Sequence, residues 1–259
     1  MNARQPWLAP HLWWWVAVVA GVCYCVPAWS GWHGPWVVVW KGAGVGLLAV
    51  HAALTARALR GSPAHTDALL LTAVMACGAM GDVLLDAISL VAGAAWFALG
   101  HLLAMALYWR NGCSSSNRRN SSIWRNSSNW RHEHDSHDSS TDNRTDRLDA
   151  TTRLWPFWLG LPVALGITAA LAEGQPLAGV AIGYTLLVAL MAAFAWCSRF
   201  SRWLVGLGAF LFLVSDLLIF TRTAGPLPLR EAAGLLVWPL YFGGQALIAR
   251  GVTSRADLP

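Results

Sequence analysis

The stretch Leu69–Leu85, LLLTAVMACGAMGDVLL, is an apolar run of helix length with a single carboxylate, Asp82, inside it. A second run, Trp203–Phe220 (WLVGLGAFLFLVSDLLIF), repeats this arrangement with Asp216. A charged side chain at the centre of a bilayer costs about 2.5–3.5 kcal/mol on insertion scales. Such residues usually face a protein interior or a wet cavity. We therefore expect the two aspartates to mark the working site of an integral membrane protein.

The composition of the chain is that of a membrane protein. Of its 259 residues, 56% are hydrophobic and 12% are charged, and the mean hydropathy is +0.46. Soluble globular proteins carry about 25% charged residues. The net charge of +5 does not indicate nucleic-acid binding, because the arginines lie mostly in loops on one side of the apolar segments. The five cysteines form no CxxC pair, so neither a zinc site nor a disulfide framework is indicated.

Eight apolar segments have about the length of 20 residues that a spanning helix needs. They cover residues 12–29, 36–54, 67–86, 88–109, 154–172, 177–197, 203–221 and 232–249. Short joints, several of them marked by Gly and Pro, separate most of these segments. Consecutive helices must therefore run antiparallel. The predicted fold is an all-α membrane protein, a bundle of eight transmembrane helices that forms one membrane domain.

One stretch, residues 111–153, departs from this pattern. It is rich in Ser, Asn, Asp and Arg, and such a composition predicts a disordered low-complexity linker. It separates residues 1–110, with helices one to four, from residues 154–259, with helices five to eight. Its segment Arg131–Asp138 holds three histidines that could bind a metal loosely, but a solvated linker is the simpler interpretation. We therefore predict no metal site and no cofactor.

The arginines predict the orientation of the bundle. Outside the linker, one side of the bundle carries Arg4, Arg57, Arg60, Arg110, Arg199, Arg202, Arg250 and Arg255. The opposite side carries only Arg222 and Arg230. Cytoplasmic loops of membrane proteins carry the excess of Lys and Arg. Both termini and the linker are therefore expected in the cytoplasm, in a multi-pass protein of the plasma membrane, or of the inner membrane if the host is bacterial.

Further polar residues lie at membrane depth, in the outer half to the middle of the bilayer. Besides the aspartates, they are Lys41, His101, Tyr184, Tyr241 and Gln245. Several of these polar residues have a simpler explanation when each is taken alone. Lys41 can snorkel to the surface, while His101 and Tyr184 can be packing residues. Gln245 can join helices by hydrogen bonds, and the aspartates can form an ion pair with Lys41. Their convergence from six helices favours a polar site for an amphiphile.

Depth along the helices can be estimated from the rise of about 1.5 Å per residue. By the predicted bounds, Asp82 lies four residues from the outer end of its helix and Asp216 lies five residues from the outer end of its own. Both carboxyl groups are therefore expected about 6–8 Å below the outer ends of their helices.

Short motifs in a fixed order along the helices carry a resemblance to a known family. They are Lys41 in helix two, Gly81-Asp82-Val83-Leu84-Leu85 in helix three, Gly100-His101 in helix four, Tyr184 and Met191 in helix six, GAFLFLVSD at 208–216 in helix seven, and PLYFGGQALI at 239–248 in helix eight. In these motifs the chain resembles the YhhN-like lysoplasmalogenases, a family of eight-helix membrane enzymes. Gly42 departs from the family pattern, which often has Pro after the lysine, and the long linker resembles an insertion.

The resemblance implies an enzyme that hydrolyses the vinyl-ether bond of lysoplasmalogens. Its substrate would be a lysophospholipid within the bilayer, and its products a fatty aldehyde and glycerophosphoethanolamine or glycerophosphocholine. It implies no cofactor and no nucleic-acid partner. The oligomeric state and the headgroup preference stay open.

The reaction needs an acid for the alkene carbon, a carboxylate beside the developing cation, and a base for the water. Two carboxylates in different environments can divide such roles. Burial raises the pKa of a carboxyl group and a nearby cation lowers it. We therefore expect one of Asp82 and Asp216 to be the protonated acid and the other to stay ionised beside Lys41, with Asp216 favoured as the acid. The further polar residues His101, Tyr184, Tyr241 and Gln245 would position the water or the phosphate headgroup.

Two other classes of function compete with this hypothesis. A transporter or flippase for a small ion or lipid could use the same buried charges as a relay. Helices three and seven run in the same direction, so they do not support the inverted repeat typical of many transporters. A non-catalytic membrane scaffold is the third class, and the buried charges argue against it.

Overall fold

The computed structural model describes residues 10–112, 160–175 and 177–254. All regular secondary structure within these ranges is helical. The predicted linker, apart from Asn111 and Gly112, lies outside the described residues, as does the predicted beginning of the fifth helix.

Eight helical elements follow one another along the described chain. The first, α1, has two pieces, Pro10–Cys23 and Cys25–Trp29, with a turn at Tyr24 between them. The others are α2 Pro35–Ala58, α3 His65–Ala87, α4 Leu90–Arg110, α5 Gly160–Ala172, α6 Ala178–Cys197, α7 Leu207–Ala224 and α8 Leu227–Thr253. A π-helical turn, Arg202–Gly206, leads directly into α7.

Seven of these elements are long and apolar enough to cross a membrane, whereas the described part of α5 is a shorter apolar helix. The chain is therefore a multi-pass integral membrane protein with an all-α bundle. This confirms the predicted fold class.

Three helices extend by three or more residues beyond their predicted ends, and the first of them, α2, continues to Ala58 instead of 54. Helix α8 begins at Leu227 instead of 232, because Pro226 precedes the helix and Pro228 lies in its first turn, where proline is tolerated. Helix α7 continues to Ala224 instead of 221. Asp216 therefore lies eight residues, or about 12 Å, from the end of its helix, which is deeper than predicted.

The order of packing brings distant parts of the chain together. Helix α3 packs between α2 and α4, α4 continues to α6, and α6 to α7. Helix α8 closes the bundle, since it packs along α7 and also contacts α1, α2 and α3. Helices α3 and α8 are thus neighbours, as are α6 and α7.

The crossing of α7 and α8 depends on two glycines. A Cβ atom added to Gly208 would lie 2.7 Å from the Gly244 carbonyl oxygen, and one added to Gly244 would lie 2.6 Å from the Gly208 carbonyl oxygen. Small residues at such crossings let the backbones of membrane helices approach closely. Ser215 adds a hydrogen bond across the same pair, since its hydroxyl donates to the Val237 carbonyl at 2.9 Å.

The first and last described helices share one end of the bundle. The Nη1 atom of Arg250 in α8 lies 2.9 Å from the ring Nδ1 of His11 in α1. At the same end, the Arg199 amide after α6 donates to the carbonyl of Asn111, which follows α4, at 3.1 Å. We call this the arginine end, defined by Arg110, Arg199 and Arg250. The opposite end, defined by Lys41 and Asp86, is the lysine end. That the arginine end faces the cytoplasm stays a prediction.

Candidate functional site

Each of the two intramembrane aspartates accepts a hydrogen bond from a tyrosine. The Tyr241 hydroxyl donates to Asp82 Oδ2 at 2.8 Å, and the Tyr184 hydroxyl donates to Asp216 Oδ2 at 2.9 Å. The exposed fractions of Asp82 and Asp216 are only 2% and 7%. A buried carboxyl group without such a partner would be costly. The first pair joins α3 to α8, and the second joins α6 to α7.

His101 of α4 extends the second pair into a line of three groups. Its ring Nε2 lies 3.3 Å from the Tyr184 hydroxyl oxygen. A phenol has one proton to donate. When Tyr184 donates to Asp216, the Nε2–H of His101 donates to Tyr184. When a protonated Asp216 donates to Tyr184, Tyr184 donates to His101. The same three groups therefore form hydrogen bonds both when Asp216 is ionised and when it is protonated, and a proton relay requires this property.

Aromatic rings join the two aspartate–tyrosine pairs into one site. The Phe212 ring centroid lies 4.8 Å from that of His101 and 5.1 Å from that of Tyr241, both edge to face. Phe97 packs against both Phe212 and Tyr241. These separations are typical of aromatic contacts in protein cores. Phe212 and Phe97 therefore form an aromatic wall that contacts Tyr241 of the first pair and, through Phe212, His101 beside the second.

Sequence reasoning did not select Phe97 or Phe212. A signal for them exists, because each lies four residues before a predicted site residue, His101 and Asp216 respectively. Residues four apart share a face of a helix.

Lys41 is the ion-pair partner of a different carboxylate from those predicted. Its Nζ donates to Asp86 Oδ2 at 2.9 Å. Over the described ranges, neither Asp82 nor Asp216 has a basic side chain at ion-pair distance. The predicted ion pair between Lys41 and one of these aspartates is therefore wrong. Asp86 lies one turn beyond Asp82, near the end of α3, where the side chains of Lys41 and Asp86 stay 14% and 30% exposed and keep part of their hydration.

Gly42, the departure from the family pattern, lies where α2 approaches α3. A Cβ atom at this position would overlap the Val83 side chain. Helix α2 nevertheless continues without a break from Pro35 to Ala58. Glycine at this position thus accompanies a regular helix and a close contact beside the Lys41–Asp86 pair.

Gln245 lies one turn beyond Tyr241 on α8 and faces the α3 backbone. A Cβ atom added to Gly78 would lie 3.2 Å from Gln245 Nε2 and 3.3 Å from the Tyr241 hydroxyl. Gly78 thus leaves room for both polar groups beside α3. The structure gathers most of the predicted site residues in one cluster: Asp82, Asp216, His101, Tyr184, Tyr241 and Gln245. Lys41 lies apart from them, beside Asp86.

The sequence model of the YhhN family matches residues 36–126 and 143–252. The chain belongs to the YhhN family. All predicted site residues of this YhhN-family protein lie within the matched ranges, and the unmatched residues 127–142 lie inside the polar stretch. Comparisons with curated proteins and with solved structures gave no significant match. The predicted resemblance to the YhhN family is therefore confirmed.

Proposed function

We propose that the protein is a membrane hydrolase that cleaves the vinyl-ether bond of lysoplasmalogens. The observation that carries this proposal is the pair of buried carboxyl groups, each hydrogen-bonded to a tyrosine, with Phe212 packed against both Tyr241 and His101. Buried ionisable groups in membrane segments mark functional sites by default. Membership of the YhhN family, together with the motif resemblance, supplies the substrate class.

The reaction adds one water molecule across the cleaved bond. A carboxylic acid gives its proton to the alkene carbon remote from the ether oxygen, and the electron pair of the ether oxygen stabilises the resulting oxocarbenium ion. Water then adds to the carbon bonded to that oxygen, and its proton passes to a carboxylate. The hemiacetal breaks its carbon–oxygen bond, its hydroxyl proton moves to the departing glycerol oxygen, and a fatty aldehyde remains.

The two carboxyl groups suit different roles in this sequence. Asp216 is the proposed acid, because its hydrogen-bonded line to Tyr184 and His101 offers a route for replacing a lost proton. Asp82, paired with Tyr241, is the proposed carboxylate beside the developing cation. This division of labour between two carboxyl groups is that of glycosidases, which also pass through an oxocarbenium-like transition state.

The Lys41–Asp86 pair is the proposed site of the headgroup. Asp86 lies one helical turn from Asp82, about 6 Å along α3, towards the lysine end. In a lysoplasmalogen only the glycerol unit separates the vinyl ether from the phosphate, which is a comparable distance. Lys41 can then attract the phosphate while the alkenyl chain lies along the aromatic wall formed by Phe97 and Phe212.

Aldehyde release from a purified preparation tests the proposal. The wild-type protein in mixed micelles with a 1-alkenyl lysophospholipid should release fatty aldehyde, and Asp82→Asn and Asp216→Asn should each lower the rate by about 100-fold or more. The matched control is Asp67→Asn on α3, since Asp67 pairs with the half-exposed Arg110 at the arginine end. The proposal fails if the wild type releases no aldehyde, or if both folded variants keep the full rate.

A transporter or flippase that uses the same buried charges is the alternative. Many secondary transporters bind their substrates at interrupted helices, whereas α3 and α7 run unbroken through Asp82 and Asp216. Continuous helices favour the enzyme. Reconstituted vesicles distinguish the two functions, because a flippase would move labelled lysolipid between the leaflets without releasing aldehyde.

A further inference from the structure

A small, partly open cavity lies beside the aspartate pairs. Its volume is about 20 Å³, and residues from α3, α4, α6, α7 and α8 line it. Those that matter here are Gly78, Gly100, His101, Tyr108, Met191 and Gln245. A cavity needs roughly 10–15 Å³ to hold one water molecule. The space therefore suits a single water.

Two residues that line this cavity each carry a buried polar atom without a partner. Gln245 Oε1 and the Tyr108 hydroxyl have no hydrogen bond within the part of the chain that the structure describes. The two side chains are 3% and 0% exposed. Leaving a buried polar group unpaired is costly, so two such groups at one cavity call for a shared partner. His101 adds a third polar side chain to the lining.

We propose that this cavity is a binding site for one water molecule, held by Gln245 and Tyr108. The water donates one proton to Gln245 Oε1 and forms its second hydrogen bond with the Tyr108 hydroxyl. Most of the lining is apolar, but the three polar side chains of His101, Tyr108 and Gln245 distinguish this cavity from the empty cavities of protein interiors, whose lining is apolar throughout.

The site borders both hydrogen-bonded pairs. On one side, the Gln245 amide and the Tyr241 hydroxyl lie together at Gly78, and Tyr241 leads to Asp82. On the other side, His101 leads through Tyr184 to Asp216. The proposed water therefore lies beside Gln245 and His101, each of which leads through a tyrosine to one of the two aspartates. Its role as the water of hydrolysis rests on the proposed function, whereas its binding does not.

Radiolytic footprinting tests the water directly. X-ray irradiation of the purified protein turns water into hydroxyl radicals, which oxidise the side chains next to the water. Met191 lines the cavity, whereas Met75 is equally buried and does not line it. We expect Met191 to be oxidised several-fold faster than Met75 in mass spectra of the irradiated wild-type protein. Equal rates at the two methionines would indicate a dry cavity and would overturn the proposal.

Variants identify the groups that hold the water. Tyr108→Phe removes the hydroxyl and Gln245→Leu removes both amide atoms, with little change of volume, and Met191 oxidation should fall towards the Met75 rate. Thr72→Val removes a hydroxyl elsewhere on α3 and should leave the Met191 rate unchanged. Tyr108→Phe serves as the second test if Gln245→Leu does not fold. Unchanged Met191 oxidation in the folded variants would overturn the assignment of these two side chains.

The water site and the proposed hydrolase can be refuted independently, the first by the footprint and the second by the aldehyde assay. Fast Met191 oxidation without any aldehyde release would leave the water site in place and refute the hydrolase. Aldehyde release with equal methionine rates would keep the hydrolase and refute the water site.

Discussion

At the level of single residues, Lys41 forms its ion pair with Asp86 rather than with Asp82 or Asp216, and the reason is the cost of removing water from charged groups. Burying an ion pair removes the hydration of both charges, and their attraction repays that cost only in favourable geometry. Lys41 and Asp86 stay partly exposed near the end of α3 and avoid most of this cost. Asp82 and Asp216, deeper in the bundle, rely on tyrosine hydroxyls instead. A carboxyl group with a neutral partner can exchange a proton during a reaction without breaking an ion pair.

The Lys41–Asp86 pair allows stability and substrate binding to be separated. Lys41→Met and Asp86→Leu each leave one charge unpaired, and each should lower the free energy of unfolding by up to about 1 kcal/mol, because the pair is partly exposed. The double variant removes both charges and should recover most of this loss. If Lys41 binds the phosphate, the double variant should still show a raised KM for aldehyde release.

Denaturant unfolding in detergent, together with steady-state kinetics on the three variants, provides the measurement. A double variant with wild-type KM would contradict the headgroup role. A double variant no more stable than either single variant would contradict the ion pair.

Close backbone contact between α7 and α8 is an element-scale property that fixes the position of Asp216. Because each Cβ at Gly208 or Gly244 would strike the carbonyl of the other glycine, Gly208→Ala and Gly244→Ala should each destabilise the protein by about 1–3 kcal/mol. Gly243→Ala is the matched control, since nothing lies within 4 Å of its added Cβ. Thermal unfolding in detergent measures the difference. Equal melting temperatures for Gly244→Ala and Gly243→Ala would show that the crossing is not tight.

Hydropathy predicted the existence of the helices but not all of their ends. An apolar run of about 20 residues has few alternatives to a spanning helix, because the bilayer leaves no other partner for its backbone groups. The start of α8 was predicted five residues late, at 232, because the prolines at 226 and 228 are typical of a joint, whereas Pro228 lies in the first helical turn. Proline marks either a break or a beginning, and the sequence alone does not distinguish the two.

The site was predicted as a set of residues but not as a set of bonds. A buried charge is visible in one helix, so Asp82 and Asp216 could be selected from the sequence alone. Their tyrosine partners depend on which helices are neighbours, and uniformly apolar helices carry little information about that. Asp82 and Asp86 also share one face of α3, so the helix pattern could not show which of them Lys41 would reach.

At the scale of the whole molecule, most of the arginine side chains lie at one end of the bundle, whereas the two aspartates of the proposed active site lie nearer the other end. The arginine end gathers Arg110, Arg199 and Arg250, while the lysine end lies nearer the two aspartates. Asp82 is five residues from the end of α3 at Ala87, or about 8 Å. An amphiphile that enters from the lysine end would therefore reach the carboxyl groups without crossing the bundle.

Orientation decides which leaflet supplies that amphiphile. Because cytoplasmic loops carry the excess of positive charge, the arginine end should face the cytoplasm and the site should open to the outer leaflet. In a bacterial host, green fluorescent protein fused after Pro259 should fluoresce, and alkaline phosphatase fused there should be inactive. Alkaline phosphatase fused after Gly34, at the lysine end, should be active. Immunoblots of each fusion control for expression. The reverse pattern would place the site at the inner leaflet, where the substrate would have to be a cytoplasmic lysolipid.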